Sequence, residues 1–129
     1  MNIVETILDG SARHGRRPAI IRDGQILEYE NLGRKVCDTA EALRTETSVP
    51  ARVGMPLANT VDDIVLALAV MLNGHTLIAL PPNATDHEKT VHLQCCMAEF
   101  LLGRGPRGPV FTPADVAGDF PEAARQIAF

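Results

Sequence analysis

The chain has 129 residues, of which 46% are apolar and 22% charged, a balance typical of one globular domain with its own core. Aromatic residues make up only 4%, so we expect an aliphatic core, and a net charge of −4 with scattered basic residues disfavours a nucleic-acid surface. The three cysteines are too few for a disulfide scaffold and indicate reduced thiols. The longest apolar run, 64–72, is far below the roughly 20 residues that span a bilayer, and residues 1–15 lack a signal-peptide pattern. These features predict a soluble, cytoplasmic protein.

The N-terminal part of the chain predicts a helix, a hairpin and a second helix. Asn2 is placed to cap a first helix, which Gly10 or Gly15 would end. The dipeptide Asp23-Gly24 between two short apolar runs predicts a two-residue hairpin turn. Residues 31–47 then predict an amphipathic helix. Its apolar positions recur at about 3.6-residue spacing, and they are Leu32, Val36, Ala40 and Leu43.

Residues 51–82 carry the most informative pattern, which is strand, loop, helix and strand. The strands 52–57 and 76–80 are apolar enough to be buried on both faces, as strands of parallel sheets are. Asn59 or Thr60 would cap the helix between them, and Gly74 would end it. A further helix through Cys96 and a buried strand over 98–102 follow. Right-handed crossovers would make these strands a parallel βαβαβ layer with helices packed on the sheet, an α/β fold.

The composition changes at Gly103. Residues 103–113 are rich in glycine and proline and predict a loop, whereas 115–129 have weak helical potential. We therefore divide the chain into an α/β subdomain over 1–102 and a Gly/Pro-rich loop with a weakly helical tail over 103–129.

Three glycines after the last predicted strand match the spacing G-x-G-x-x-G of dinucleotide-binding turns. They are Gly103, Gly105 and Gly108. Such a turn needs a helix to begin there, so that free N–H groups meet the phosphates, but Pro106 and Pro109 interrupt the segment and remove donors. We expect a loop rather than a nucleotide site.

His92, Cys95 and Cys96 lie within one helical turn and could suggest a metal or redox site. Structural zinc needs four protein ligands, and the sequence has no second pair at zinc spacing. We expect instead a surface histidine and two thiols packed inward. Cys37 is expected in the core.

The remaining polar candidates also favour structural interpretations. Asp62 and Asp63 are adjacent on a helix, point in different directions, and are explained by the helix dipole. His75 lies at a helix-to-strand turn, where a surface or subunit contact is expected. The sequence therefore assigns no catalytic, cofactor-binding or metal-ligating residue.

The order of these features resembles the N-terminal region of the adenylate-forming superfamily, which includes acyl-CoA synthetases and the adenylation domains of nonribosomal peptide synthetases. The Pro-Ala-Ile strand, the hairpin and the helix start at Tyr29 and Leu32 occur in the family's order. The strand–helix–strand passage adds a second set of matching residues: Val53, Gly54, Asn59, Ala67, Gly74 and Pro82. Departures at Asn73, His75 and 81–83 prevent assignment to a subfamily.

The resemblance implies a function that the residues alone do not. A full-length family member would activate a carboxylate with ATP and magnesium as an acyl-adenylate, and pass the acyl group to coenzyme A or a carrier-protein thiol. In the family, the phosphate loop follows a strand similar to 126–129, where this sequence ends. No residue here matches a catalytic position of the family, so we expect neither a cofactor in this chain nor activity from it alone.

Three hypotheses follow. The chain is the N-terminal scaffold of an adenylating ligase, or a free-standing interaction module that docks on a carrier protein or a catalytic subunit. In either case we expect the rest of the enzyme, or a homo-oligomer, to cover apolar surface. The third hypothesis is an unrelated flavodoxin-like binding protein, with its ligand beside residues 58–59 and 81–83.

Overall fold

The computed structural model describes residues 2–45, 49–105 and 108–114, and its first element is helix α1, Ile3–Arg13. Asn2 Oδ1 accepts a hydrogen bond from the Glu5 N–H at 2.9 Å, and Glu5 Oε2 accepts one from the Asn2 N–H at 3.1 Å. This capping box satisfies amide groups that the first turn leaves without helical partners. The predicted cap is confirmed, but the helix continues through Gly10 and ends at Arg13, with His14 as its C-cap.

The predicted hairpin is formed by β1, Pro18–Arg22, and β2, Gln25–Glu28. The two turn residues, Asp23 and Gly24, have φ angles of 51° and 76°. Positive φ at both central positions gives the turn whose twist matches that of the flanking strands.

Helix α2, Tyr29–Arg44, packs against both α1 and the later helix α3, Val61–Leu72. It begins two residues before the predicted start at Asn31, since the hairpin ends at Glu28, the N-cap position. The four predicted apolar positions, Leu32, Val36, Ala40 and Leu43, are all buried. At Gly33 a Cβ atom would overlap the Ser11 side chain, so glycine there lets α1 and α2 approach closely.

A four-stranded sheet follows, with strand order β4-β3-β5-β6. Its strands are β3, Arg52–Pro56, β4, Thr76–Leu80, β5, Phe100–Gly105, and β6, Gly108–Pro113. Strand β3 pairs in parallel with β4 and with β5. The predicted parallel βαβαβ layer is thereby confirmed.

The two connecting helices lie on opposite faces of this sheet. Val53 and Met55 of β3 pack with Val70 of α3 in one buried cluster. On the opposite face, a Cβ atom at Gly54 would overlap Leu93 of helix α4, Asp86–Cys95. The sheet is therefore covered by α3 on one side and α4 on the other.

The loop predicted over 103–113 is wrong where the structure describes it. Strand β5 extends to Gly105, and β6 pairs with it antiparallel along its whole length. The segment forms a strand despite its glycines and prolines, because β6 is an edge strand, where a proline without an N–H does not interrupt the ladder. Strand β5 begins at Phe100 rather than at Ala98, because Met97 adopts a left-handed φ of 55° after α4. The helical tail predicted over 115–129 lies outside the described residues.

Helix α3 contributes to two apolar clusters. With the sheet and α2 it buries Leu66, Ala67, Ala69 and Val70. With α1 and α2 it buries Val65 and Leu68, beside Val4, Leu32 and Val36. Within the described ranges no helix is long and apolar enough to cross a membrane.

Candidate functional site

The carboxyl ends of β3 and β4 are the first place to look for a site. Their connections leave toward α3 on one face and α4 on the other, and open α/β sheets bind ligands outside the carboxyl ends of their strands. Here, however, the Leu57 N–H donates to the Leu80 C=O at 3.0 Å, so the two strand ends are joined to each other. The exposed side chains of Asn59 and Asn83 flank this junction. This junction lies beside the ligand position of the flavodoxin-like hypothesis.

The acidic pair at the start of α3 is divided between core and solvent. Asp63 is buried, and its Oδ2 accepts from the Ala58 N–H at 2.7 Å. The Asp63 N–H donates to the Oγ1 of Thr60, the N-cap residue, at 3.2 Å. Asp62 is exposed, so the two carboxylates do not converge. Asp63 holds the β3–α3 loop against the positive end of the helix.

A cleft of about 530 Å³ lies between the hairpin and the start of α3. Its apolar lining residues are Ile20, Ile26, Leu27 and Val61, and its charged ones are Arg22, Asp23 and Lys35. Arg22 already contacts the Asp23 carboxylate at 3.5 Å, and both side chains are exposed to solvent. No local motif encodes this cleft, because it depends on how the hairpin lies against α3.

The thiols are less buried than the sequence predicted. Cys96 is the exposed C-cap residue of α4, Cys95 is half-buried, and Cys37 is exposed on α2. The prediction of inward-packed thiols is wrong for Cys96, because α4 ends there and the chain turns away. The core prediction for Cys37 is also wrong, since the residue beside it in sequence, Val36, occupies the buried face. The described residues include no group of three or more His, Cys, Asp or Glu side chains that could hold a metal ion.

His75 is buried, at 6% exposure, and the prediction of a surface position is wrong. Its Nδ1 accepts a hydrogen bond from the Ala51 N–H at 3.0 Å, and its ring meets Phe111 edge-on at 5.9 Å between centroids. The neutral ring then carries its proton on Nε2, which is buried and has no hydrogen-bond partner among the described residues. Burial lowers the pKa of His75, because the charged imidazolium would lose its hydration. The sequence could not predict that His75 is buried, because Phe111 lies in β6, which the glycine- and proline-rich composition predicted to be a loop.

The glycine spacing noted in the sequence falls on an antiparallel strand pair. Gly103 and Gly105 lie in β5, and Gly108 begins β6 with a φ of 119°. A dinucleotide turn leads from a strand into a helix N-terminus, so this geometry differs from that of a phosphate-binding loop.

Solved structures share this fold. The N-terminal subdomain of NpsA from Klebsiella oxytoca, in complex with 3-hydroxyanthranilyl-AMSN, superposes with a TM-score of 0.75 at 17% identity over 92% of this chain. IdnL1 gives a TM-score of 0.70 at 18% identity over 87% of the chain. NpsA-ThdA, an artificially fused adenylation–PCP di-domain of a Klebsiella oxytoca nonribosomal peptide synthetase, gives 0.74 at 19% identity over 98%. No protein-family model and no curated protein matches the sequence.

These matches confirm the predicted resemblance at the level of the fold. The chain shares the α/β fold of part of the NpsA N-terminal subdomain. It spans only 33% of the NpsA subdomain, 26% of IdnL1 and 24% of the fused di-domain. Of the residues that carried the resemblance, Val53, Gly54 and Ala67 are buried in the sheet and α3, so they serve the fold.

Proposed function

We propose that this chain is an N-terminal structural portion of an acyl- or aminoacyl-adenylating ligase. The observation that carries the proposal is the fold match, which extends over 92% of the chain with a TM-score of 0.75. In this proposal the complete enzyme uses ATP and magnesium to activate a carboxylate, and passes the acyl group to coenzyme A or a carrier-protein thiol. The chain contributes one α/β layer against which the rest of the enzyme packs.

Among the described residues there is no cluster of three potential metal ligands, and the buried carboxylate of Asp63 already accepts the Ala58 N–H. We therefore derive no catalytic step from this chain. Its role is to support the sheet, because stabilising charge on a reacting phosphate needs preorganised donors that these residues do not provide.

The test is ATP–pyrophosphate exchange with a panel of fatty, aromatic and amino acids. We expect no exchange above background from the purified chain, while NpsA run in parallel with an aryl acid serves as the positive control. Acid-dependent exchange by the chain alone would contradict the scaffold role. If addition of a separately expressed catalytic subunit restores exchange, the proposal gains its direct support.

An interaction module is the second candidate function, and one surface observation favours it. Ile21 and Ile26 are paired across the hairpin on its outer face and are 68% and 60% exposed. Contiguous exposed apolar surface can mark a contact site, whereas singly scattered exposed apolar residues need no explanation. Titration with a carrier protein, followed by NMR, discriminates the two candidates. Shifts confined to the hairpin favour a docking module, and an unchanged spectrum argues against one.

A further inference from the structure

The outer edge of β4 carries backbone groups that no described residue satisfies. The Thr76 N–H donates to the Ala51 C=O at 2.9 Å, and the Leu80 C=O accepts from the Leu57 N–H, so both residues direct their amide groups toward the β3 side. The N–H and C=O of one strand residue point to the same side, and the side alternates along the strand. Leu77 and Ala79 therefore direct their N–H and C=O groups away from the sheet.

Among the described strands, the other sheet edges carry proline or charged residues, and the β4 edge carries neither. Strand β6 contains Pro109 and Pro113, which have no N–H to offer, and the hairpin strands end in the charged residues Arg22 and Glu28. Proline and charge are the usual means by which proteins keep edge strands from pairing with other chains. Strand β4, with the sequence TLIAL, has neither, and its Ala79 side chain is exposed. The asymmetry marks β4 as the edge that is built to be paired.

We propose that this edge binds the β4 edge of a second copy of this chain, antiparallel and across a two-fold axis at Ile78. In that register Leu77 lies opposite Ala79 of the second copy, and Ala79 lies opposite Leu77 of the second copy. The two residues of each pair hydrogen-bond to each other through both their N–H and C=O groups. All the outward amide groups of the two strands are then satisfied. The two four-stranded sheets become one continuous sheet with β4 strands at its centre.

The side chains agree with this register. The half-buried Leu77 meets the small Ala79, so a large residue packs against a small one on the α3 face. On the α4 face Ile78 meets its own copy at the close, non-hydrogen-bonded spacing that β-branched pairs favour. Strand β4 has no charged side chain, so like charges do not oppose each other across the axis.

The proposed pairing between the two β4 strands is limited at both ends of the strand. The His75 N–H already donates to the Val70 C=O at 3.3 Å, and Pro81 follows the strand without an N–H. The pairing is thus limited to β4 and does not propagate along the chain. This inference does not rest on the proposed function, because dimerisation requires no nucleotide and no adenylating partner.

The experiment is sedimentation velocity of the full chain over a concentration series, with amide hydrogen exchange followed by NMR. We expect a reversible monomer–dimer equilibrium. The Leu77 and Ala79 amides should be protected only in the dimer, whereas the Ile78 amide, which faces β3, should be protected in both states. Ala79→Pro removes one N–H from each copy, half of the outward donors, and should raise the dissociation constant on the order of tenfold.

Ala79→Lys is the companion variant, because the exposed side chain lets the monomer fold while the charge disfavours the paired edge. Val110→Lys adds the same charge to β6, at the opposite edge of the sheet, and should leave the dimer intact. A chain that stays monomeric at every concentration would overturn the proposal. A dimer that resists both Ala79 variants but dissociates on Ile21→Lys would also overturn it, by placing the interface on the hairpin. Protection of Leu77 and Ala79 in a monomer would show an edge covered from within one chain.

Discussion

At the scale of single residues, His75 links pH to stability. Its Nδ1 can accept the Ala51 N–H only while the ring is neutral, and burial lowers its pKa below the ordinary value of 6.5. Well above pH 6.5 the ring is neutral in both folded and unfolded chains, so its stabilising contribution is complete. Below that pH the unfolded chain binds a proton that the folded chain resists, and the free energy of unfolding falls.

We therefore expect the free energy of unfolding to fall by at most about 1.4 kcal/mol per pH unit from this group as the pH drops from 6.5 toward the folded-state pKa. Urea unfolding at a series of pH values measures the slope. His75→Asn keeps an acceptor near the Nδ1 position and removes the titrating group, so its slope over this window should be flatter. An unchanged slope in His75→Asn would assign the pH dependence to other groups.

At the scale of elements, the features predicted correctly from the sequence are those that depend on a short local pattern of residues. The Asn2 and Thr60 caps, the Asp23-Gly24 turn and the apolar stripe of α2 all depend on neighbours within one turn, and the structure has each of them. Strand β6 escaped prediction, because its pairing with β5 is a tertiary contact that outweighs the glycines and prolines of its sequence. The position of His75 was missed for the same reason, since β6 supplies Phe111 against its ring. The hairpin cleft likewise depends on packing between elements distant in sequence.

The start of α3 gives a prediction at this scale. The Asp63 carboxylate accepts the Ala58 N–H at 2.7 Å, so Asp63→Ala leaves a donor without a partner in a part-buried loop. We expect Asp63→Ala to lower the free energy of unfolding by about 1–3 kcal/mol, measured by urea denaturation. Asp63→Asn retains an acceptor oxygen and loses only the charge at the helix N-terminus, so it should cost less. Equal losses in the two variants would mean that charge, and not the hydrogen bond, is what Asp63 contributes.

At the scale of the whole molecule, helix α3 contributes to both apolar clusters, as α2 does. One of its faces packs on the sheet with Val53 and Met55, and another packs on α1 and α2 beside Val4 and Leu32. A helix buried on both sides cannot leave one cluster without exposing the other. The helical layer and the sheet should therefore open together, in one cooperative unit.

Leu32→Ala tests this coupling, because Leu32 lies in the helical cluster at 3% exposure and is remote in sequence from the sheet. Removing its side chain should lower the free energy of unfolding by about 2–5 kcal/mol. Native-state hydrogen exchange should then show the same loss at the Met55 and Ile78 amides of the sheet as at the amides of α2. Ile26→Ala truncates a side chain that is 60% exposed and serves as the control, with an expected change within about 0.5 kcal/mol. If Leu32→Ala weakened protection in α1 and α2 but left the sheet amides unchanged, the two layers would be independent units, and α3 would not couple them.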